Sequence, residues 1–325
     1  MRPNPSEIHR RGARKVRVML DRKNNLNGIN LLAVCLCVQL FIMLWRAPAA
    51  DLASDSLRSV GVSADKPSFT LICGAVYASV MVLSVFFPMT VFFRMRGRSK
   101  SEYLSLNPTL PVHSAYALIF CVAFSAMILF FMNAYRYAVP DGFAVRADMP
   151  GDAAGTVVRF VELVLIPAFA LEPFFRGVAL RELMPFGRTF AIAASSFMGA
   201  IAEDCFSDAL FALCVGFVCG YFVMCTNSLW IGIFMRLSAG ITYFIYGFLL
   251  SSGISVRYSA AMFIATSVLF LSGIFCCLRI DEQLRTDNIS PMQTERGTVG
   301  NRAFVSCLRA PCMLAYYIAA VLMWI

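Results

Sequence analysis

The chain has 325 residues, 59% of them hydrophobic and only 14% charged, with 28 Lys and Arg against 19 Asp and Glu for a formal net charge of +9. Soluble domains carry about half apolar and a quarter charged residues, so a mean hydropathy of +0.71 excludes a soluble globular protein and points to an integral membrane protein. The basic residues gather in alternate loops, the asymmetry that orients membrane proteins, so the positive balance does not imply a nucleic-acid partner.

A basic tail over 1–28 holds Arg2, Arg10, Arg11, Arg14, Lys15, Arg17, Arg22 and Lys23. Its length before the first apolar run argues against a cleaved signal peptide. Crossing a hydrocarbon layer of roughly 30 Å takes about 20 apolar helical residues. Runs near that length are expected at Ile29 to Trp45, Phe69 to Phe93, Ser114 to Tyr135 and Thr156 to Leu183. Further runs follow at Phe190 to Ala202, Ala209 to Cys225, Leu229 to Leu250 and Ser259 to Leu278, and a short last candidate covers 310–325. The expected fold is all-α, a polytopic transmembrane helix bundle of eight or nine spans with its membrane domain over 29–278. The stretch 279–309, with Asp281, Glu282, Asn288, Pro291 and Gly297, lacks apolar periodicity and reads as a cytoplasmic linker.

The clusters Arg94, Arg96, Arg98 and Lys100, and then Arg181 and Arg188, fall on the side of the basic tail if every run spans. The intervening loops carry Asp51, Asp55, Asp65, Asp141, Asp148 and Asp152. A cytoplasmic N-terminus follows, and the plasma membrane of a prokaryote is the expected location. Most of the twelve cysteines, Cys35, Cys37, Cys121, Cys214 and Cys219 among them, sit inside apolar runs, where a thiol behaves as a small hydrophobe. Cys276 and Cys277 near a membrane boundary suit either acylation or plain packing.

From Arg159 onward ionisable residues enter the apolar runs: Glu162, Glu172, Arg176, Glu203 and Arg236. Such groups are costly in hydrocarbon and face a protein interior or a wet cavity. Pro167 and Pro173 each remove a helix hydrogen bond, which predicts a kink near Glu172. Glu172 and Arg176, four apart with the acid first, suit either a same-face ion pair or a catalytic role. Asp204, Cys205, Ser207 and Asp208 form either a polar turn or a calcium or magnesium site. Ser195 and Ser196 have no histidine partner to activate a nucleophile. Gly216 and Gly220 make a small-x-x-x-small surface for close helix packing.

The run Leu171-Glu172-Pro173-Phe174-Phe175-Arg176-Gly177 resembles the Glu-Glu-x-x-x-Arg-Gly signature of the CPBP family, the Abi or type II CAAX prenyl endopeptidases. Ala194-Ser195-Ser196-Phe197 leading to Glu203 is similar to the span that in this family ends in Phe-x-x-x-His. Asn227-Ser228-Leu229-Trp230, followed by Arg236 and Gly240, is similar to a Gly-Ser-Leu-Trp run opening on His-x-x-x-Asn. The likeness covers about Arg159 to Tyr246, and implies a CPBP-like core over about 156–250, in spans four to seven. It implies an intramembrane metalloprotease in which a glutamate activates water held with two histidines and an asparagine.

Carried over by position, the glutamates fall on Leu171 and Glu172, the motif phenylalanine on Gly199, the histidines on Glu203 and Arg236, and the asparagine on Gly240. Glu172, Arg176 and Gly177 match, the last two as structural parts of the motif. The two histidines of the chain, His9 and His113, lie elsewhere. Arg stays protonated and cannot ligate, Leu171 cannot accept a proton, and loss of a general base alone removes on the order of 10²- to 10⁴-fold of rate. The family's reaction is therefore expected to be absent, with no cofactor, and Glu203 and Arg236 are expected to face each other as an opposite-charge couple. The function expected is binding of a membrane peptide, a lipidated tail or a partner protein in the bilayer without cleavage. Two alternatives stay open: an active protease using Glu172 with Glu203 or Asp204, which would carry zinc, and a small proton or solute carrier.

Overall fold

The computed structural model describes residues 26–97, 99–108, 111–138, 149–203 and 205–251, with 264, 266–275, 278–279, 313 and 315–318 beyond them. Most of the basic tail, Asp204, Cys276, Cys277, the linker after Arg279 and most of the last candidate span lie outside the described residues. Every regular element among the described residues is helical. Six helices are long and apolar enough to cross a membrane: Leu26–Ser59, Pro67–Arg96, Ser114–Tyr135, Ala153–Phe186, Phe206–Thr226 and Leu229–Ser251.

The first of these divides into α1 (26–43) and α2 (Arg46–Ser59) at a turn over 44–45. Helix α3 (Pro67–Arg96) starts on a proline, whose fixed φ and missing N–H suit a first turn, and stops at Gly97 with φ +65 after Arg94 and Arg96. A short α4 (Lys100–Tyr103) and the loop after it lead to α5 (Pro111–Ala138). Helix α6 (Ala153–Phe186) is capped by Asp152, whose carboxylate accepts from Gly155 N at 2.9 Å. It then widens into π-helical turns at Val161–Leu165, Pro167–Leu171 and Pro173–Ala179. The prolines are thus absorbed by i→i+5 bonding, and the backbone at Glu172 stays helical at φ −60, ψ −45.

Helix α7 (Arg188–Ile201) has 14 residues, about 21 Å at 1.5 Å per residue, short of the roughly 30 Å hydrocarbon thickness. The turn at 202–203 that follows therefore leaves Glu203 inside the bundle. Helix α8 (Phe206–Thr226) ends at Asn227 with φ 50, a left-handed position that asparagine tolerates better than other side chains. That is the position where the family motif would place glycine. Helix α9 (Leu229–Ser251) returns against α5, α6 and α8, α7 lies on α8, and α3 lies on α6. A Cβ on Gly220 would sit 3.1 Å from Ile192 Cγ2, so the small surface of α8 brings α7 into close approach. Beyond α9, α10 (Thr266–Phe275) is a short apolar helix. Phe92, Phe174, Met198 and Phe222, all fully buried, form the core where these helices meet.

The loop after α4 is strapped across the end of the bundle that carries Arg96 and Arg181. Ser105 O accepts from Leu229 N at 2.8 Å, Ser105 Oγ donates to Asn227 O at 2.7 Å, and Ser228 Oγ donates to Asn107 O at 2.5 Å. Arg181 Nη2 donates to Ser105 Oγ at 2.8 Å and to Asn227 Oδ1 at 2.5 Å. Leu104 packs between Ala168, Leu229 and Ile233. A Cβ on Gly177 would lie 2.6 Å from Leu104 Cδ2, so the motif glycine makes room for this strap.

Candidate functional site

Arg236 Nη2 of α9 meets Glu203 Oε1 in the turn after α7 at 3.2 Å, with side-chain exposures of 10% and 21%. The couple closes one side of a cavity of about 40 Å³ whose wall also includes Leu171 and Gly240. The base, both imidazole positions and the asparagine position of the family motif thus converge on a single hollow. Glu162, Asp208 and Tyr243 complete its polar wall. Glu162 takes Arg159 Nη1 at 3.4 Å, and Asp208 accepts the Tyr243 hydroxyl.

Two of the replaced positions are filled by the fold itself. A Cβ on Gly240 would stand 3.0 Å from Leu163 O and 3.1 Å from Val164 Cα, so the backbone of α6 occupies the space an asparagine would need. Gly199, at the motif phenylalanine, faces the Phe175 ring, whose atoms lie 3.5 to 3.8 Å from the place of a Cβ. An aromatic ring still fills that corner, supplied from α6.

Glu172 and Arg176 point into the neighbouring part of the core. Glu172 Oε2 lies 3.4 Å from Arg176 Nε, and both side chains are buried, at 6% and 3%. Arg176 Nη1 donates to Ser195 Oγ at 2.7 Å. Ser195 and Ser196 spend their own protons on Ile192 O, at 3.2 and 2.7 Å, which leaves neither free as a nucleophile. A Cβ on Gly216 would stand 2.5 Å from Arg176 Nη2, so this glycine gives the guanidinium its seat. Glu172 therefore serves the ion pair, while its neighbour Leu171 supplies the apolar part of the cavity wall.

A second buried charge cluster escapes sequence reasoning. Glu182 Oε1 at the end of α6 meets Arg96 Nη2 of α3 at 2.7 Å, and Tyr103 Oη donates to Glu182 Oε2 at 2.8 Å. Gly28 of α1 has no room for a Cβ, which would fall 1.8 Å from Glu182 Oε1. Four elements are tied here. Burial, then the hydrogen bond and charge of Glu182, push the Tyr103 phenol above its ordinary value, with Arg96 acting against them. The only sequence signal was an acid beside Arg181 at the edge of an apolar run, and its partners lie 79 and more residues away.

The residues present do not suit a zinc ion. Arg cannot ligate, Gly240 and Leu171 offer no donor, and Glu203 is engaged by Arg236. Among the described residues no group of three or more His, Cys, Asp or Glu could hold a metal. Cys205 Sγ and Ser207 Oγ lie 3.2 Å apart at the start of α8.

Fold and composition define a polytopic α-helical integral membrane protein. Residues 153–242, from the cap of α6 through Gly240 of α9, match the family model described as Type II CAAX prenyl endopeptidase Rce1-like. The CPBP resemblance carried by the three motifs thus stands on that segment. No curated protein and no solved structure matches the chain.

Proposed function

We propose that this CAAX-protease-like membrane protein is catalytically silent and binds a membrane peptide, lipidated tail or partner protein without cutting it. One observation carries the reading: four of the five replaced motif positions line a cavity of about 40 Å³ in which an ion pair stands where two imidazoles would be needed. That volume admits little more than a water molecule, so a scissile peptide and its attacking water have no common place in it. The basic residues of the tail, of the α3 end and of Arg181 and Arg188 support a cytoplasmic N-terminus.

Purified protein in lipid nanodiscs, incubated with lipidated and transmembrane peptides and followed by mass spectrometry, should leave every peptide intact. Cleavage that disappears in Glu172→Gln would overturn the reading in favour of a working protease. An N-terminal tag reached by protease only from the outer side of intact cells would reverse the orientation.

A further inference from the structure

Two polar layers cross the bundle. In the first, Gly28 of α1 abuts Glu182 and Arg96, and Arg181 next to Glu182 holds Asn227. In the second, the Arg46 guanidinium at the start of α2 lies 5.7 Å over the Tyr77 ring of α3, and Arg46 and Asp208 both act on the charge of Glu203. Three stretches of helix measure the gap. From Gly28 to Arg46, from Arg96 back to Tyr77 and from Asn227 back to Asp208 the chain runs 18 or 19 residues, about 27 to 29 Å at 1.5 Å per residue. That is close to the roughly 30 Å of a hydrocarbon layer, so the two layers mark the two boundaries of the bilayer.

Trp45, 58% exposed, and Tyr77 stand at the second boundary, where aromatic side chains are enriched. Beyond it α2 buries none of its residues and exposes Asp51, Asp55 and Arg58, as a helix in water does. The cavity starts at this boundary, with Glu203 and Asp208 in its wall, and reaches inward to Leu171. The strap of Leu104 and Ser105 shuts it off from the first boundary. Its charges balance among the described residues: the guanidiniums of Arg159, Arg236 and Arg46 stand against the carboxylates of Glu162, Glu203 and Asp208. A neutral mouth does not concentrate free ions, and about 40 Å³ gives a lipid tail no place. What fits is water or the tip of a polar group carried there.

We infer that the cavity is a water-accessible vestibule with no net field, open on the membrane face opposite the basic tail, and that it admits small polar groups from that face. The assignment rests on the non-cleaving binding reading above for what enters, and fixes the face from which a partner presents it. Its test uses the full-length protein in vesicles and two membrane-impermeant methanethiosulfonates, one anionic and one cationic. A protease added afterwards removes any N-terminal tag that faces outward. The retained tag then separates the two orientations, and modified cysteines are mapped by mass spectrometry.

Cys205, half-buried at the start of α8 and two residues after Glu203, should be modified only in molecules whose tag is protected. Both reagents should react at similar rates, whereas a charged mouth would separate them about tenfold or more. Glu102→Cys, on the exposed side of α4, should be modified only in molecules whose tag is removed. Modification of Cys205 from the side of the tail, or from neither side, would overturn the inference, as would a tenfold preference for one charge. Cleavage in the peptide assay above would instead sink the non-cleaving reading and leave the vestibule standing, so the two failures are distinct.

Discussion

Removing the guanidinium of Arg236 should be among the costliest single changes in the membrane domain. With the pair at 3.2 Å and its partners 10% and 21% exposed, Arg236→Ala leaves the Glu203 carboxylate inside the bundle with its closest cation gone. Breaking a buried pair costs about 3–5 kcal/mol, and a lone charge at mid-bilayer costs about 2.5–3.5 kcal/mol by insertion scales. The adjoining cavity of about 40 Å³ lets a water reach the stranded carboxylate, so the lower end applies, about 3 kcal/mol. Glu203→Ala should cost a similar amount by stranding the arginine. If the two losses were independent, the double variant would lose about 6 kcal/mol; with both charges gone it should lose about half of that, a coupling of 2–3 kcal/mol, within the range of residues in contact. Detergent-purified single and double variants, unfolded with sodium dodecyl sulfate and followed by circular dichroism, give this cycle directly. Additive losses would refute the couple as the element that closes the cavity.

Gly240→Asn, which restores the family residue, should destabilise the protein by about 1–3 kcal/mol because its Cβ meets the α6 backbone at 3.0 Å; unfolding in the same assay checks it, and an unchanged protein would show that α6 can retreat. Glu182→Gln should cost about 3 kcal/mol by leaving the buried Arg96 short of its carboxylate, read as loss of detergent-soluble monomer on size exclusion. Since the Tyr103 phenol is raised, its contribution to stability is complete below the ordinary phenol value of about 10 and fades as pH rises through the higher folded value. Tyr103→Phe should flatten the fall in stability above that pH, and an identical slope in both proteins would contradict the placement of Tyr103 beside Glu182. Gly216→Ala should disturb the Arg176 seat, since its methyl would lie 2.5 Å from Nη2; loss of α7 protection in amide exchange measures it.

Much of the site was legible because its signals are local. Intramembrane charges are rare enough that Glu172, Arg176, Glu203 and Arg236 stood out against their apolar surroundings, and Glu172 with Arg176 shares one helix, where spacing alone predicts contact. Glu162 and Asp208 were visible as charges but not as neighbours. Glu203 and Arg236 lie 33 residues apart on different elements, and the fold brings them into contact. The count of spans was harder to read, because hydropathy does not tell a short helix such as α7 from a crossing one.

The sequence by itself determined that the chain lives in a bilayer, that it is helical throughout its described core, and that Leu171, Glu203, Arg236 and Gly240 stand at positions where the family motif has other residues, since these follow from residue chemistry and run length. Only the tertiary structure decided that the vacated positions close on one another, that Gly240 yields its space to α6, and that Glu182, Arg96 and Tyr103 lock the far-separated α3, α4 and α6 together. Those contacts join residues tens of positions apart, and the close approach of helix backbones that creates them has no period for a sequence to display.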